Sequence, residues 1–369
     1  MNKICHIASI LVLSLMVSCN HKQIVSSENY MIFDEVVYAT QFPINVTLAD
    51  AEDTGFDIIG INNFQLLDSM LFISSRERDG FWQFFSMNDK RLKGKILSLG
   101  QGPNEFFFPV SDGNVFSFEN NMESLYGYIF DNQHGYVYQI DVDASLSEGE
   151  IVMSILSKDL PNSVVSCKVK DNNTYLCREI AEGAKRQVRY VLNDGKKLVP
   201  EVLEKLNRAM VADISNGIDH NIISSMIQRQ GDIFLESMPY LNYVNIYSLD
   251  GKLAKTICMD DKLLDINSVQ ALPDGLRNYV SISERAFERF FGVATYNHTW
   301  MEWELGTFRG SQIKLFDWEG QPLAVINLDR FVSAFDIDFK RGELYVLSQR
   351  DDEFVKYDIN ELLHKLGMK

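Results

Sequence analysis

The stretch Ile246-Tyr247-Ser248-Leu249-Asp250-Gly251 alternates apolar and polar side chains and runs into an acidic residue and a glycine. Alternation marks a half-buried strand, and Asp-Gly favours a tight hairpin turn because both positions tolerate positive φ. The chain repeats this unit. It appears as Phe84-Phe85-Ser86-Met87-Asn88-Asp89, as Val137-Tyr138-Gln139-Ile140-Asp141 and as Arg189-Tyr190-Val191-Leu192-Asn193-Asp194-Gly195. It returns as Lys314-Leu315-Phe316-Asp317-Trp318-Glu319-Gly320 and as Phe354-Val355-Lys356-Tyr357-Asp358. The acidic markers at 89, 141, 194, 250, 319 and 358 are separated by 52, 53, 56, 69 and 39 residues. Six copies with a period near fifty predict an all-β, six-bladed β-propeller, each blade a four-stranded antiparallel sheet.

Individual strands follow from the same pattern. Blade two reads as Gly113–Glu119, Ser124–Asp131, Gly135–Asp141 and Glu150–Leu156. Blade four reads as Asn221–Gln228, Asp232–Ser237, Tyr243–Leu249 and Lys252–Met259. Blade six offers three strands, Ala334–Lys340, Glu343–Ser348 and Glu353–Asp358. The alternating segment Phe42–Asp50 is expected to supply its fourth strand and close the ring, removing an exposed sheet edge. Asp-Gly pairs at 79–80, 112–113, 194–195, 250–251 and 274–275 read as turns. The one good helical pattern runs from Pro200 to Ala212, with Val202, Leu203, Leu206 and Met210 at helical spacing.

The 369 residues carry 51 acidic and 35 basic side chains, a formal net charge of −16. That acidity argues against a nucleic-acid partner, which needs a basic face. The N-terminus reads as an export signal. Lys3 precedes an apolar run from Ile4 to Val17, too short to span a bilayer, which needs about 20 residues. The run ends in Leu15-Met16-Val17-Ser18-Cys19, which resembles a bacterial lipobox. The resemblance implies cleavage after residue 18, lipidation of Cys19 and a membrane contact made through acyl chains. Residues 1–18 are then signal peptide, 19–40 the lipidated cysteine and tether, and 41–369 the propeller. Losing residues 1–18 removes one lysine and leaves a net charge of −17. The residues after Cys19, Asn20-His21-Lys22-Gln23, lack the acidic cluster of surface-exposed lipoproteins, so a periplasm-facing place at the outer membrane is expected. Of the remaining cysteines, Cys167 and Cys177 flank Asp171-Asn172-Asn173 and would face each other across a hairpin, as a disulfide or as buried thiols.

Leu97-Ser98-Leu99-Gly100-Gln101-Gly102-Pro103-Asn104-Glu105-Phe106 resembles the G-x-G-P-x-E-F signature of six-bladed, TolB-like propeller lipoproteins of Bacteroides-type bacteria. With the lipobox and six repeats, the resemblance covers about residues 40–365 and implies the propeller fold. Physically the motif is a turn leaving an outermost strand. Gly100 and Gly102 can take positive φ, Pro103 stiffens the turn, and Gln101 or Glu105 can accept from loop amides.

Catalytic motifs are missing. The sequence holds no Gly-x-Ser-x-Gly, His-Glu-x-x-His or Cys-x-x-Cys. No catalytic residue, metal ligand or cofactor is assigned, although a structural divalent cation in the central channel stays open. The longest insertions, 100–111, 200–220 and 260–286, are crossovers between blades and share one face by topology. Loops on that face carry Arg76, Arg78, Asp79, His134, Glu236, Tyr240, Arg309, Arg350 and Asp351, the expected ligand-binding ring. Arg stands out in an acidic chain because its fork suits carboxylates. Phe287, Phe290, Phe291, Trp300 and Trp303 read as core between blades. The expectation is a monomeric, non-catalytic envelope lipoprotein binding a protein, peptide or glycan. The alternative is a propeller hydrolase or lyase on sugars or lactones, with carboxylates converging on a channel metal.

Overall fold

The computed structural model describes residues 25–368 apart from 103, 122, 123, 159, 214–216, 308 and 309. The cleavage site and Cys19 lie outside the described residues. Six antiparallel sheets form a six-bladed β-propeller. Blade one is Ile61–Leu67, Met70–Ser75, Asp79–Ser86 and Leu92–Leu99 from the axis outward. Blade two is Phe116–Asn120, Leu125–Asp131, Tyr136–Asp141 and Val152–Ser157. Blade three is Val164–Asp171, Thr174–Ala181, Arg186–Asn193 and Lys196–Leu198. Blade four is Met226–Gln230, Ile233–Ser237, Tyr243–Ser248 and Ala254–Cys258. Blade five is Asn278–Ala286, Phe290–Thr299, Ser311–Asp317 and Pro322–Leu328. Blade six is Ala334–Asp338, Glu343–Ser348 and Glu353–Asp358, plus a borrowed strand.

That borrowed strand is Glu52–Asp53, antiparallel to Glu353–Asp358 through Asp53 opposite Val355 and Glu52 opposite Lys356. The ring is therefore closed from the N-terminus, but by a different segment than Phe42–Asp50. Within that expected segment Ile44–Leu48 pairs in parallel with Pro322–Leu328 and covers the outer edge of blade five. A third N-terminal strand, Glu35–Tyr38, covers the outer edge of blade four in the same way. Unpaired edges invite association, and one continuous segment blunts three of them.

Residues 25–40 are thus part of the packed body rather than a tether. Met31, Ile32 and Phe33 are almost fully buried among Leu203, Leu206, Tyr243 and Tyr247. The Phe33 ring packs against Tyr247 at 5.7 Å between ring centroids, and its N–H donates to Thr256 Oγ1 at 2.8 Å. Before them, Glu28 and Asn29 accept from Met210 and Ile266 N–H, both at 3.0 Å and both in crossovers. The chain enters the body on the crossover face.

The turn chemistry differs from the sequence reading in detail. Asp194-Gly195 and Gly251 take positive φ in hairpin turns. Gly80 takes positive φ inside a strand, where the register shifts, and Asp274-Gly275 forms a short 3-10 turn. The expected helix from Pro200 shortens to Glu201–Leu206, because the chain must bend to bring Met210 beside Arg186. Cys167 and Cys177 do face each other, with sulfurs 3.8 Å apart, as buried free thiols.

Phe33→Ala should lower stability by about 3–5 kcal/mol, the usual cost of emptying a buried aromatic site. Denaturant unfolding of the full chain measures it, and a loss below about 1 kcal/mol contradicts the integral role of this segment.

Candidate site in the central channel

The innermost strands of the six blades surround a cavity of about 860 Å³ on the propeller axis. A strand's side chains alternate between faces, so each innermost strand presents every second residue to its blade neighbours or the axis. The lining is rich in amides, including Asn63, Gln65, Asn114, Gln228 and Gln349. Its charged members are Lys168, Arg229, Arg285 and Arg350 against Asp112, Glu119 and Glu284. In a chain of net charge −16, a lining with more cations than carboxylates is the exception.

Each charge is held by fixed partners. Lys168 donates to the carbonyls of Gly113 and Phe116, joining blade three to the crossover of blade one and to blade two. Burial pushes its pKa down to about 8, while Asp112 and Glu284 oppose that shift. Glu284 of blade five accepts from Ser237 Oγ of blade four at 2.5 Å, and its Oε1 is buried with no hydrogen-bond partner. Burial pushes its pKa up to about 8, so the carboxyl is mostly neutral at pH 7. Arg229 donates to the Val169 carbonyl at 2.6 Å and lies 3.4 Å from Glu119, linking blades four, three and two. Arg285 pairs with Asp336, whose Oδ2 also accepts from Leu66 N–H at 2.9 Å, linking blades five, six and one.

Behind the channel wall lies a second polar layer. Arg189 and Glu236 form a fully buried ion pair, Nε to Oε1 at 2.7 Å. Ser225 and Tyr247 also donate to Glu236, the latter at 3.0 Å. Burial pushes the Glu236 carboxyl up, but Arg189 outweighs it and holds the group below its ordinary range. Arg178 donates to Gln187 Oε1 at 2.6 Å and to Ser225 Oγ at 3.2 Å.

The residues expected to form the binding ring divide. Arg350 stands at the channel mouth with its guanidinium 4.8 Å from the Trp303 ring centre, and Trp303 packs on Phe331 at 4.3 Å. Trp303 is therefore a mouth residue, not core between blades, and Trp300 is exposed, while Phe287, Phe290 and Phe291 are buried as read. Arg76 and Arg78 are exposed on the crossover face, Arg76 beside Asn62 Oδ1 at 3.4 Å. Asp79 is exposed at the start of the third strand of blade one. His134 is held by Asp131 at 2.6 Å and stacks on Phe107, away from the axis. Tyr240 packs on Tyr279 at 4.8 Å. Asp351 accepts from Ser348 Oγ at 2.7 Å. Glu236 is corrected: it is not a rim residue but the buried partner of Arg189. Arg309 lies outside the described residues.

Sequence reading missed Lys168, Glu284 and Arg285. The usable signal was a charged residue in the middle of an innermost strand, which has only the channel or a blade interface to face.

The Gly100 motif is a turn against the outer strand of blade one. Glu105 Oε2 accepts from Gly102 N–H at 2.7 Å, and Glu105–Phe106 pairs with Ser98-Leu99. Gly100 and Gly102 do not take positive φ; Asn104 does, at 65°. The reason for glycine is space, since a Cβ on Gly100 would run into the Glu105 carboxylate. Pro103 lies outside the described residues.

No group of three or more His, Cys, Asp or Glu among the described residues is placed to hold a metal ion. No family model matches the chain, and no curated protein matches it. Solved structures with a similar fold do exist. One, from Bacteroides fragilis NCTC 9343 and described as a candidate exported protein, is 11% identical, with a TM-score of 0.50. The match covers 87% of this chain and 98% of that one. A member of the DUF4221 family from Bacteroides vulgatus ATCC 8482 is 11% identical over 81% of this chain and 94% of its own, with a TM-score of 0.49. At these identities the likeness concerns the fold alone.

Three measurements check this geometry. Arg189→Met leaves Glu236 buried without its cation and should cost about 3–5 kcal/mol in denaturant unfolding. Gly100→Ala should cost about 0.5–1.5 kcal/mol through the displaced, exposed Glu105 bond, and Glu105→Ala should absorb most of that loss in the double variant. Glu284 binds a proton in the folded state up to about pH 8, whereas its unfolded value is near 4.5. Its contribution is therefore fully present below pH 4.5 and is lost as pH rises through 8. Melting temperature should fall across that window, and Glu284→Gln should flatten the fall; an unchanged slope contradicts the buried neutral carboxyl.

Proposed function

We propose that this chain is a non-catalytic binding module of the cell envelope, anchored through a lipidated Cys19 and facing the periplasm at the outer membrane. Its ligand is a polar chain, peptide or glycan, that offers a carboxylate to the crossover end of the channel. The observation that supports this reading most is the lining: four cations among fixed amides, with a protonatable Glu284 and an indole–guanidinium pair at the mouth. Lys168 donates to two carbonyl oxygens, and Asp112 and Glu284 are the carboxylates that act on its charge. Trp303 and Phe331 give a sugar ring or an aliphatic segment a flat apolar wall. Export is supported by the Ile4–Val17 run and the Ser18-Cys19 junction, and by the description of the Bacteroides fragilis neighbour.

The test is a thermal-shift panel of uronic-acid oligosaccharides, neutral oligosaccharides and acidic peptides. A carboxylate-bearing ligand should raise the melting temperature, neutral sugars should not, and Arg350→Ala should remove the effect while leaving the unliganded melting temperature within about 1 °C. No stabilisation by any acidic ligand, or full stabilisation of the variant, contradicts the reading. Mass spectrometry of the mature N-terminus tests the anchor: an acylated Cys19 is expected, and an unmodified one refutes it.

A further inference from the structure

The exposed apolar side chains of this propeller are distributed unequally between its two faces. Fourteen large ones are exposed among the described residues. Nine sit in crossovers or in the loop after the second strand of blade five, and none sits in a loop of the opposite face. Five of the nine are neighbours. The helix Trp300–Glu304 packs on the turn Asp274–Leu276, with Met301 Cε 4.0 Å from where a Cβ on Gly275 would stand. Together Leu272, Leu276, Trp300, Met301 and Leu305 form one patch, Leu305 being 71% exposed. Apolar patches of this kind on a soluble body mark an interaction surface.

The carboxylates at its rim are already engaged. Glu304 accepts from Trp300 Nε1 at 2.9 Å, Glu302 closes the capping box with Thr299, and Asp274 lies 2.9 Å from Arg277. The patch thus meets its surroundings through carbon surface rather than through open charge.

What covers it follows from where the chain enters the body. Asn29 lies against the helix Ile266–Gln270, which leads directly to Leu272: Asn267 Nδ2 donates to Asn29 Oδ1 at 2.9 Å. Ser26 bonds to Arg208 of the neighbouring crossover at 3.3 Å. Five residues lie between Cys19 and Val25, and the six Cα steps reach at most about 20 Å. An anchor at Cys19 therefore holds this face, and not the opposite one, close to lipid.

We propose that the sector of the crossover face formed by Leu272, Leu276, Trp300, Met301 and Leu305 lies on the bilayer surface beside the lipid anchor. This rests on the anchored reading above. Trp and Met at the acyl–headgroup boundary, with Leu below, match the composition of interfacial segments. The contact is apolar, so added salt does not weaken it and only screens the repulsion between the acidic chain and anionic headgroups. The propeller leans on blade five, and the channel mouth stays open on the side of blades one and two, where Arg76 and Arg78 stand.

The experiment uses the mature chain from Cys19 onward, which contains every described residue. Its Cys19 thiol is coupled to a maleimide phospholipid, since Cys167, Cys177 and Cys258 are buried. The conjugate is placed in phosphatidylethanolamine–phosphatidylglycerol vesicles carrying brominated acyl chains. Bromine should quench a component of the tryptophan emission that is missing in Trp300→Phe. The pair Leu276→Asp and Leu305→Asp should restore that emission at an unchanged melting temperature. Equal quenching in wild type and Trp300→Phe, or quenching untouched by the two aspartates, overturns the proposal; a face built for a protein partner gives that result. Because the coupling is chemical, this outcome is independent of whether Cys19 is acylated in the cell, which the N-terminal mass decides separately.

Discussion

A propeller of independent sheets has an edge problem, and pairing at those edges is the constraint from which the rest of this molecule follows. Each outermost strand offers unpaired N–H and C=O groups. Here one N-terminal segment passes along three blades, pairing in parallel with blades four and five and antiparallel with blade six. The last contact joins the chain's two ends, so the ring is closed by main-chain hydrogen bonds rather than by packing alone. Closure also sets the geometry of the axis. Only a closed ring holds Arg285 of blade five against Asp336 of blade six while Asp336 accepts from Leu66 of blade one.

The polar axis is a consequence of the same architecture. Six innermost strands converge around a gap too wide for close packing, and long polar groups with fixed partners line it beside aromatic side chains. Lys168, Arg229 and Arg285 each bridge blades, as does Glu284 through Ser237. These groups keep the ring in register and leave amide and cationic surface facing a cavity. Buried charge is poor evidence of stability in itself. Its value here is placement: four cations and three carboxylates gathered around one channel.

Much of the fold was legible because it is local. The strand alternation and acidic turns in 125–141, 233–258 and 334–358 each carry their own period, and the strands lie within a few residues of where that period puts them. Partner choice was not legible. Nothing within Ile44–Leu48 says which edge it joins, and Glu35–Tyr38, four residues long, is too short to show a period. Glu236 illustrates the limit for the site. In sequence it is an acid near a loop; its burial is set by Arg189, 47 residues earlier and in another blade. Gly100 shows the reverse case, where glycine was recognised correctly as a turn residue but for conformational freedom rather than for the space that Glu105 occupies.

The N-terminal segment links these levels. It closes the ring, fixes the axis and brings the chain out on the crossover face, which carries the channel mouth and the exposed apolar sector. The most direct test of its integral role is hydrogen exchange on the full chain, read by mass spectrometry. Amides of Glu35–Tyr38 and Ile44–Leu48 should be protected as long as those of the strands they cover, Ala254–Cys258 and Pro322–Leu328, and should open with them in one cooperative step. Exchange of these two N-terminal strands at the rate of surface loops, while the blades stay protected, would contradict the account.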